Sequence, residues 1–224
     1  MIFAAGLGTR MGSLVSDQPK PMINVAGKPL IDHALGLASD AEIGNVVVNV
    51  HYKAPIIVKH LDGQDLKIST EYPVLLETGG GLRNALPLLG GEPVFTLNSD
   101  AVWAGSNPIK ELAGAWDPKE MDALLMLIKP EDAIGHNGAG DFIAPKPDKQ
   151  ILRGPGLIYS GIQVMKTDDL RHIQESVFSL NKVWDRMLAR GRLCGLVYDG
   201  NWCDVGNPKG IIEAEKMLLN HDNV

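Results

Sequence analysis

The sequence predicts an α/β fold in which helices flank a mixed, mostly parallel sheet. An apolar strand at residues 1–5 leads into a glycine-rich turn, and the β-branched run NVVVNVH at 45–51 is typical of a strand in the middle of a parallel sheet. Between them, PLIDHALGLASDA at 29–41 has apolar residues at helical spacing. Strand, helix and strand in this order begin a βαβ unit.

The same alternation continues along the chain. Further strands are predicted at 66–72, 93–100, 122–129 and 193–199, and further helices at 54–61, 81–89, 107–116, 167–176, 179–191 and 208–220. The stretch after residue 135 differs, because short apolar runs alternate there with Gly, Pro and Asn turns. We expect an inserted antiparallel hairpin at about 130–165 that forms a lid, and one domain spanning residues 1–224.

The composition limits the classes of function. A chain of 224 residues with 45% hydrophobic residues can bury one substantial core, and its formal charge of -6 provides no general basic field to hold a nucleic acid. Cys194 and Cys203 have neither a CxxC spacing nor the density of a disulfide scaffold, which indicates a reducing compartment. Neither a membrane-spanning stretch nor a signal peptide is recognisable. We expect a cytoplasmic protein that is a monomer or small homo-oligomer.

Residues suited to phosphate binding follow the first predicted strand, where open α/β sheets bind ligands. In AAGLGTRM, Gly6 and Gly8 let the backbone approach a phosphate closely, and Arg10 adds a planar fork of donors. The motif lacks the third glycine of a dinucleotide fingerprint and the GK[ST] of a P-loop, and an ordinary tight turn is the alternative. Lys20 stands between prolines that favour a non-helical segment, from which its ammonium group could be aimed at a phosphate. A solvated surface lysine is the alternative.

Three glycines follow Glu77 and Thr78 in ETGGGLRNAL, directly before the helix predicted at 81–89. A glycine-rich helix N-terminus can bind an anion or let a planar base lie against the backbone. A bare helix entry is the alternative reading of this motif.

Two aspartates end apolar segments, Asp100 in FTLNSD and Asp204 in NWCDVG. Hard divalent cations take oxygen ligands, and Mg²⁺ typically binds one or two carboxylates together with substrate phosphates and water. The pair is therefore a candidate Mg²⁺ site. A turn or helix-cap role is the alternative for each aspartate.

The order of these motifs along the chain, from AAGLGTRM through PKP, ETGGG, NSD and YSG to WCDVG, resembles that of the sugar-1-phosphate nucleotidyltransferases. The resemblance covers nearly the whole chain, and GxGTRM with its downstream KP is the most specific part. The short chain, ETGGG and W-x-D-V-G are most similar to the N-acetylmuramate-1-phosphate uridylyltransferases of bacterial cell-wall recycling. Mannose-1-phosphate guanylyltransferases and glucose-1-phosphate thymidylyl- or uridylyltransferases are close neighbours.

This resemblance implies a fold and a reaction. The fold would be one Rossmann-like (GT-A-like) domain with a sugar-binding lid, without the C-terminal β-helix of longer relatives. The reaction would be the Mg²⁺-dependent condensation of an NTP, with UTP favoured, and a sugar 1-phosphate, with N-acetylmuramate 1-phosphate favoured, to give a nucleotide sugar and pyrophosphate.

The resemblance also implies roles for individual residues. The catalytic residues would be Arg10, Lys20, Asp100 and Asp204, with both aspartates holding Mg²⁺. The nucleotide would be bound by Ala5, Gly6, Gly8, Thr9, Arg10, Lys20, Glu77, Thr78, Gly79 and Gly80. The sugar phosphate would be bound by Gly140, Asp141, Tyr159, Ser160 and Gly161.

Two positions and two other classes of function complete the expectations. Ser99 stands where many relatives have glycine and adds a side chain beside Asp100, whereas Lys146 in APKPD is expected to be a solvated hairpin lysine. A glycosyltransferase that uses nucleotide sugars is disfavoured, because Asp100 is followed by AVW rather than by the second aspartate of a DxD pair. A regulatory paralogue without turnover is disfavoured because all four catalytic candidates are present together.

Overall fold

A seven-stranded sheet organises the structure, a computed structural model that describes residues 1–91, 93–143 and 149–222. The strands are β1 (Ile2–Phe3), β2 (Asn24–Val25), β3 (Lys28–Pro29), β4 (Val47–Val50), β5 (Lys67–Thr70), β6 (Val94–Asn98), β7 (Ala101–Ala104), β8 (Ala123–Ile128), β9 (Ala133–Ile134), β10 (Phe142–Ile143), β11 (Leu152–Arg153), β12 (Ile158–Met165), β13 (Leu193–Val197) and β14 (Asn201–Asp204). The α-helices are α1 (Leu30–Asp40), α2 (Ala54–His60), α3 (Glu77–Leu89), α4 (Pro108–Ala115), α5 (Asn181–Ala189) and α6 (Pro208–Asp222). Short 3-10 helices cover Thr9–Val15, Lys20–Met22, Pro130–Asp132 and Asp168–His172.

The strand order in the main sheet is β13-β8-β12-β6-β1-β4-β5. β12 runs antiparallel to both of its neighbours, and the other pairings in this sheet are parallel. The predicted mixed, mostly parallel sheet is therefore confirmed. Smaller sheets join β7, β14 and β9, β10 with β11, and β2 with β3.

Helices pack on both faces of the main sheet. One core contains Ile31 of α1, Ile57 of α2 and Leu112 of α4, and the other contains Leu82 of α3 and Val183 of α5. Consecutive residues of a strand enter opposite cores, which explains why β4 and β8 are apolar along most of their length. A third cluster lies between α6 and the sheet of β7 and β14.

The register of the sheet aligns three strand ends. Phe3 at the end of β1 pairs with Asn49 on one side and with Asn98 on the other. The loops that follow these strands therefore begin at the same level of the sheet.

Three predicted elements are corrected. The stretch 158–165, predicted as part of the lid, is the antiparallel strand β12 inside the main sheet, although β10 and β11 do form an antiparallel hairpin. The helix predicted at 81–89 begins earlier, at Glu77. The helix predicted at 167–176 is a short 3-10 helix, Asp168–His172, followed by chain without a helix up to α5.

Backbone and side-chain partners explain the missing helix. The carbonyl of Phe178 accepts hydrogen bonds from the N–H groups of Gly79 and Gly80 in α3, and the guanidinium of Arg83 donates to the carbonyls of Ile173 and Glu175. Backbone groups that are satisfied across to α3 are not available for a local helix.

Part of the predicted lid lies outside the described residues, namely 144–148 with Lys146. No helix within the described ranges has the length and apolar character needed to cross a membrane.

Candidate active site

The loop after β1 forms the floor of a cavity of about 450 Å³. Gly8 has a φ of 65°, in the left-handed region, and a methyl group on it would lie 2.8 Å from Cβ of Lys20. Glycine is needed there for both reasons. Gly6 has open space where a side chain would lie, so its backbone can be approached closely from the cavity.

Lys20 is buried and paired. It is 8% exposed, and its Nζ donates to Oδ2 of Asp100 at 2.8 Å. The predicted non-helical segment is corrected, since Lys20 begins the 3-10 helix Lys20–Met22 after an extended Pro19. This geometry rules out the solvated surface lysine that the sequence left open.

Asp100 and Asp204 are brought together by the pairing of β7 with β14. Asp204 pairs with Ala101, and the N–H of Val205 donates to the carbonyl of Asp100 at 2.9 Å. A methyl group on Gly206 would lie 3.0 Å from the Asp204 carboxylate and 3.1 Å from the Arg10 guanidinium. The glycine of WCDVG therefore leaves room for both charged groups.

The electrostatic surroundings of Asp204 are mixed. Burial raises its pKa, and the neighbouring negative charge of Asp100 raises it further. Positive charge from Lys20, Arg10 and His136 acts in the opposite direction, without outweighing these causes. The two carboxylates thus repel each other in a partly buried setting, where additional positive charge is favourable.

The donor set suits a hard cation that is shared with a substrate. Carboxylate oxygens are the ligands that Mg²⁺ prefers, and the ion usually keeps water and phosphate ligands as well. In the described part of the chain, no group of three or more His, Cys, Asp and Glu side chains could hold a metal ion.

The ETGG segment divides into two parts. Glu77 and Thr78 line the cavity, and Glu77 has a φ of 62°. Gly79 and Gly80 instead pack against residues 176–178, where a methyl group on Gly79 would overlap the Phe178 ring. Their N–H groups are already bonded to the Phe178 carbonyl, so these glycines serve close packing rather than an open anion site.

Ser99 is turned away from the metal candidates. Its hydroxyl donates to the carbonyl of Phe3 at 2.6 Å, and it is 4% exposed. The side chain thus ties the loop after β6 to the end of β1.

A smaller cavity of about 220 Å³ adjoins the first, and both are lined by Phe3, Thr78 and Asn98. Asp141 and Tyr159, two of the predicted sugar-phosphate residues, line this second cavity. Oδ2 of Asp141 accepts a hydrogen bond from the N–H of Tyr159 at 2.9 Å.

The other three predicted sugar-phosphate residues have structural contacts. The hydroxyl of Ser160 donates to the carbonyl of Met126 at 2.8 Å, in the buried sheet. Gly161 packs against Asn98, because a methyl group on it would lie 2.9 Å from Asn98 Cβ. Gly140 has a φ of 89° and packs tightly on the backbone of Gly156.

The sequence reasoning missed a buried pair at the first cavity. Oδ1 of Asn49 accepts a hydrogen bond from the N–H of Ala4 at 2.8 Å, and its Nδ2 donates to Oε1 of Glu71 at 2.7 Å. Oε2 of Glu71 accepts from the N–H of Leu76 at 2.7 Å. This pair joins the loop after β1 to the loop before α3. Its signal in the sequence is a polar Asn49 inside an otherwise apolar strand.

Residues 1–139, more than half of the chain, match the model of the MobA-like NTP transferase domain. The chain belongs to this NTP transferase family. The glycine loop, Arg10, Lys20 and Asp100, which surround the first cavity, all lie in the matched part.

Relatives of this NTP transferase extend over nearly its whole length. It is 39% identical to the N-acetylmuramate alpha-1-phosphate uridylyltransferase of Caulobacter vibrioides, over 97% of this chain and 96% of the relative. It is 32% identical to the enzyme of the same name from Neisseria meningitidis, again over 97% and 96%. The mannose-1-phosphate guanylyltransferase catalytic subunit beta of Dictyostelium discoideum is 28% identical over 98% of this chain and 64% of the relative.

Solved structures share the fold of this NTP transferase. HddC of Yersinia pseudotuberculosis, crystallised with GMP-PN, has a TM-score of 0.76 at 21% identity, and the match covers 97% of each chain. A Bacillus anthracis protein in complex with a sucrose has a TM-score of 0.80 at 17% identity, over 96% of this chain and 93% of that one.

Proposed function

We propose that the protein joins UTP to N-acetylmuramate 1-phosphate and releases pyrophosphate. The observation that carries this proposal is the cavity in which a glycine loop, Arg10, Lys20 and Asp100 converge, in a chain whose 39% and 32% identical relatives carry that activity in their names. A cytoplasmic location and a role in cell-wall recycling belong to the same proposal.

The chemistry requires positioning and charge neutralisation rather than a general base. An oxygen of the sugar phosphate, already anionic at neutral pH, attacks the α-phosphorus of the NTP in line, and the bond from that phosphorus to the pyrophosphate oxygen breaks. Arg10 and the backbone of Ala5, Gly6, Gly8 and Thr9 hold the β- and γ-phosphates. Lys20 neutralises charge around the α-phosphorus, a recurrent strategy in phosphoryl transfer.

We include Mg²⁺ in the proposal, with Asp100 and Asp204 as its protein ligands. When bound, the ion would supply positive charge that neutralises phosphate oxygens. Lys20 limits the negative charge that Asp100 presents before substrate arrives, because the two side chains are paired at 2.8 Å.

The remaining candidates divide between the two cavities. Glu77 and Thr78 are assigned to the nucleotide cavity. Gly79 and Gly80 hold this segment in place through their packing against residues 176–178. Asp141 and Tyr159 are assigned to the sugar phosphate in the second cavity. Gly140, Ser160 and Gly161 shape the backbone around this cavity, as their contacts with Gly156, Met126 and Asn98 indicate.

The test is pyrophosphate release by purified protein with Mg²⁺, across the common NTPs crossed with the 1-phosphates of N-acetylmuramate, glucose, N-acetylglucosamine and mannose. We expect the strongest signal with UTP and N-acetylmuramate 1-phosphate. Asp204→Asn should abolish most of this signal, whereas Asp199→Asn, at a carboxylate that is 92% exposed, should keep it. Nucleotide binding without turnover on any pair would contradict the proposal and favour a regulatory protein.

A mannose-1-phosphate guanylyltransferase is the second candidate. Its support is the Dictyostelium relative, which is 28% identical over 98% of this chain. Pyrophosphate release that is strongest with GTP and mannose 1-phosphate would support this second candidate over the first.

A further inference from the structure

The second cavity has an aromatic wall. The rings of Tyr159 and Trp184 meet edge to face, with centroids 4.8 Å apart and planes at 74°, and both residues line the cavity. Phe142 lies behind Trp184 at 6.1 Å. Trp184 is 5% exposed, so its ring is held almost entirely by protein.

A buried polar chain fixes the orientation of this wall. The indole Nε1 of Trp184 donates to Oε1 of Gln163 at 2.8 Å, and Nε2 of Gln163 donates to Oγ1 of Thr96 at 3.1 Å. Thr96 also lies close enough to the Tyr159 hydroxyl to act on the pKa of that phenol, which burial raises. Gln163 and Thr96 are both 0% exposed. The chain therefore begins at the Trp184 ring and ends at Thr96, beside the Tyr159 hydroxyl.

Gln163 lies at a special place in β12. The register between β12 and β8 shifts between Tyr159 and Gln163, as it does at a bulge or another irregularity of the strand. A bulge changes the direction of side chains along a strand. Here Tyr159 lines the cavity, and Gln163 lies in the core, where it contacts Trp184 of α5 and Thr96 of β6.

A buried glutamine lowers the stability of the fold relative to an apolar residue unless its amide is fully hydrogen-bonded. Its amide is buried away from water, so each hydrogen-bonding atom needs a protein partner, and an apolar side chain would fill the same space without that requirement. The partners of Gln163 are the indole N–H of Trp184 and the hydroxyl of Thr96. The arrangement defines one orientation of the wall rather than merely filling the core.

We propose that Trp184 is a contact residue of the sugar subsite and that Gln163 is the positioning residue that holds it there. This rests on the proposed function. A pyranose ring presents a face of C–H groups and an edge of hydroxyls, so it fits a cavity with an aromatic wall and a carboxylate acceptor such as Asp141. Binding then depends on the orientation of the indole ring, which Gln163 sets without touching the ligand.

The test compares Gln163→Met, which keeps the volume and removes both hydrogen bonds, with wild type in steady-state kinetics. We expect the KM for the sugar 1-phosphate to rise on the order of tenfold, while the KM for the NTP changes less than about twofold. Thr96→Val removes the acceptor of the Gln163 amide N–H but leaves the hydrogen bond between Gln163 and Trp184 in place, and it should shift the same constant in the same direction. Thr96→Val also provides the test if Gln163→Met does not fold.

Tyr198→Phe is the matched control. It removes a buried hydrogen bond to the carbonyl of Ser106, made at 2.7 Å by a residue that lines neither cavity. It should lower thermal stability and leave both KM values unchanged. Equal shifts in both KM values for Gln163→Met, or no shift at all, would overturn the inference.

Calorimetric titration with the sugar 1-phosphate separates this inference from the proposed function. If wild type turns over no pair of substrates but binds the sugar phosphate more tightly than Gln163→Met does, the proposed function fails and the subsite stands. If wild type turns over substrates and both proteins bind the sugar phosphate equally, the function stands and the subsite fails. Absence of both turnover and binding in wild type contradicts both.

Discussion

Lys20 lies beside the glycine loop with its ammonium group 2.8 Å from a carboxylate oxygen of Asp100. Lys20→Met should lower turnover on the order of 10²-fold to 10³-fold, because one preorganised positive charge is lost where the α-phosphate would lie. Lys110→Met, on the exposed face of α4, is the matched control and should retain activity. Pyrophosphate release measures both variants, and an active Lys20→Met protein would contradict the assigned role.

Glu77 combines a place in the cavity with a backbone conformation that favours glycine. Because its φ is 62°, Glu77→Gly should be more stable than Glu77→Ala by roughly 1 kcal/mol, since alanine retains the strain of the left-handed region. Urea unfolding measures the difference. Both variants lack the carboxylate, so a similar change in NTP affinity in the two would assign that change to the side chain. Equal stabilities would show that the backbone at this position is not strained.

At the scale of elements, the contact between α3 and residues 176–178 depends on glycine. A methyl group on Gly79 would overlap the Phe178 ring, so Gly79→Ala should destabilise the protein by roughly 1 to 3 kcal/mol. Gly114→Ala is the matched control within α4, where nothing lies within 4 Å of the added methyl group. It should stabilise by about 0.5 to 1 kcal/mol, because alanine is the better helix former. Thermal unfolding of the two variants should therefore change in opposite directions.

The same contact explains which elements the sequence could predict. α1 and β4 follow from periodicity and β-branched composition, because their apolar faces are buried by neighbours in the same unit. The missing helix after residue 167 could not be predicted, because its backbone groups are satisfied by α3, about 90 residues earlier in the chain. β12 could not be predicted as a strand of the main sheet for a different reason. The glycine within this strand and the turn residues before it are typical of a loop, but they are equally compatible with an irregular strand inside the sheet.

At the scale of the molecule, an ion-pair cluster joins the far ends of β8, β12 and β13 to α5. Asp122 accepts hydrogen bonds from Lys166, Arg190 and Arg192, and Asp169 accepts from Arg186 and Arg190. Burial opposes ionisation of each carboxylate, but the hydrogen bonds from the basic side chains outweigh it and hold the pKa of Asp122 and of Asp169 below the ordinary value.

These lowered pKa values predict acid sensitivity. A carboxyl group with a lowered pKa in the folded state stabilises the fold above its unfolded-state pKa, and this contribution is lost as the pH falls through the folded-state pKa. The urea midpoint should therefore decline as the pH falls below about 4. Asp122→Asn should reduce this decline, whereas Asp62→Asn, at an exposed position, should leave it unchanged. Identical pH profiles for wild type and Asp122→Asn would contradict the prediction.

The candidate site could be predicted in part, because the register of the sheet decides where loops meet. β1, β4 and β6 end at the same level, so residues directly after them converge, and Arg10 and Asp100 were found by that rule. Glu71 and Gln163 could not be found in this way. Their importance depends on which groups face them in the core, and a single polar residue in the sequence does not specify its partners.

Phe3, Thr78 and Asn98 form a wall between the two cavities and line both. In the proposed reaction the nucleotide sugar would occupy both sides of this wall at once, whereas each substrate occupies one side. The nucleotide sugar should then inhibit competitively against the NTP and also against the sugar phosphate, while pyrophosphate competes with the NTP. Product-inhibition patterns would thus report, without any mutation, whether the nucleotide sugar occupies the sites of both substrates.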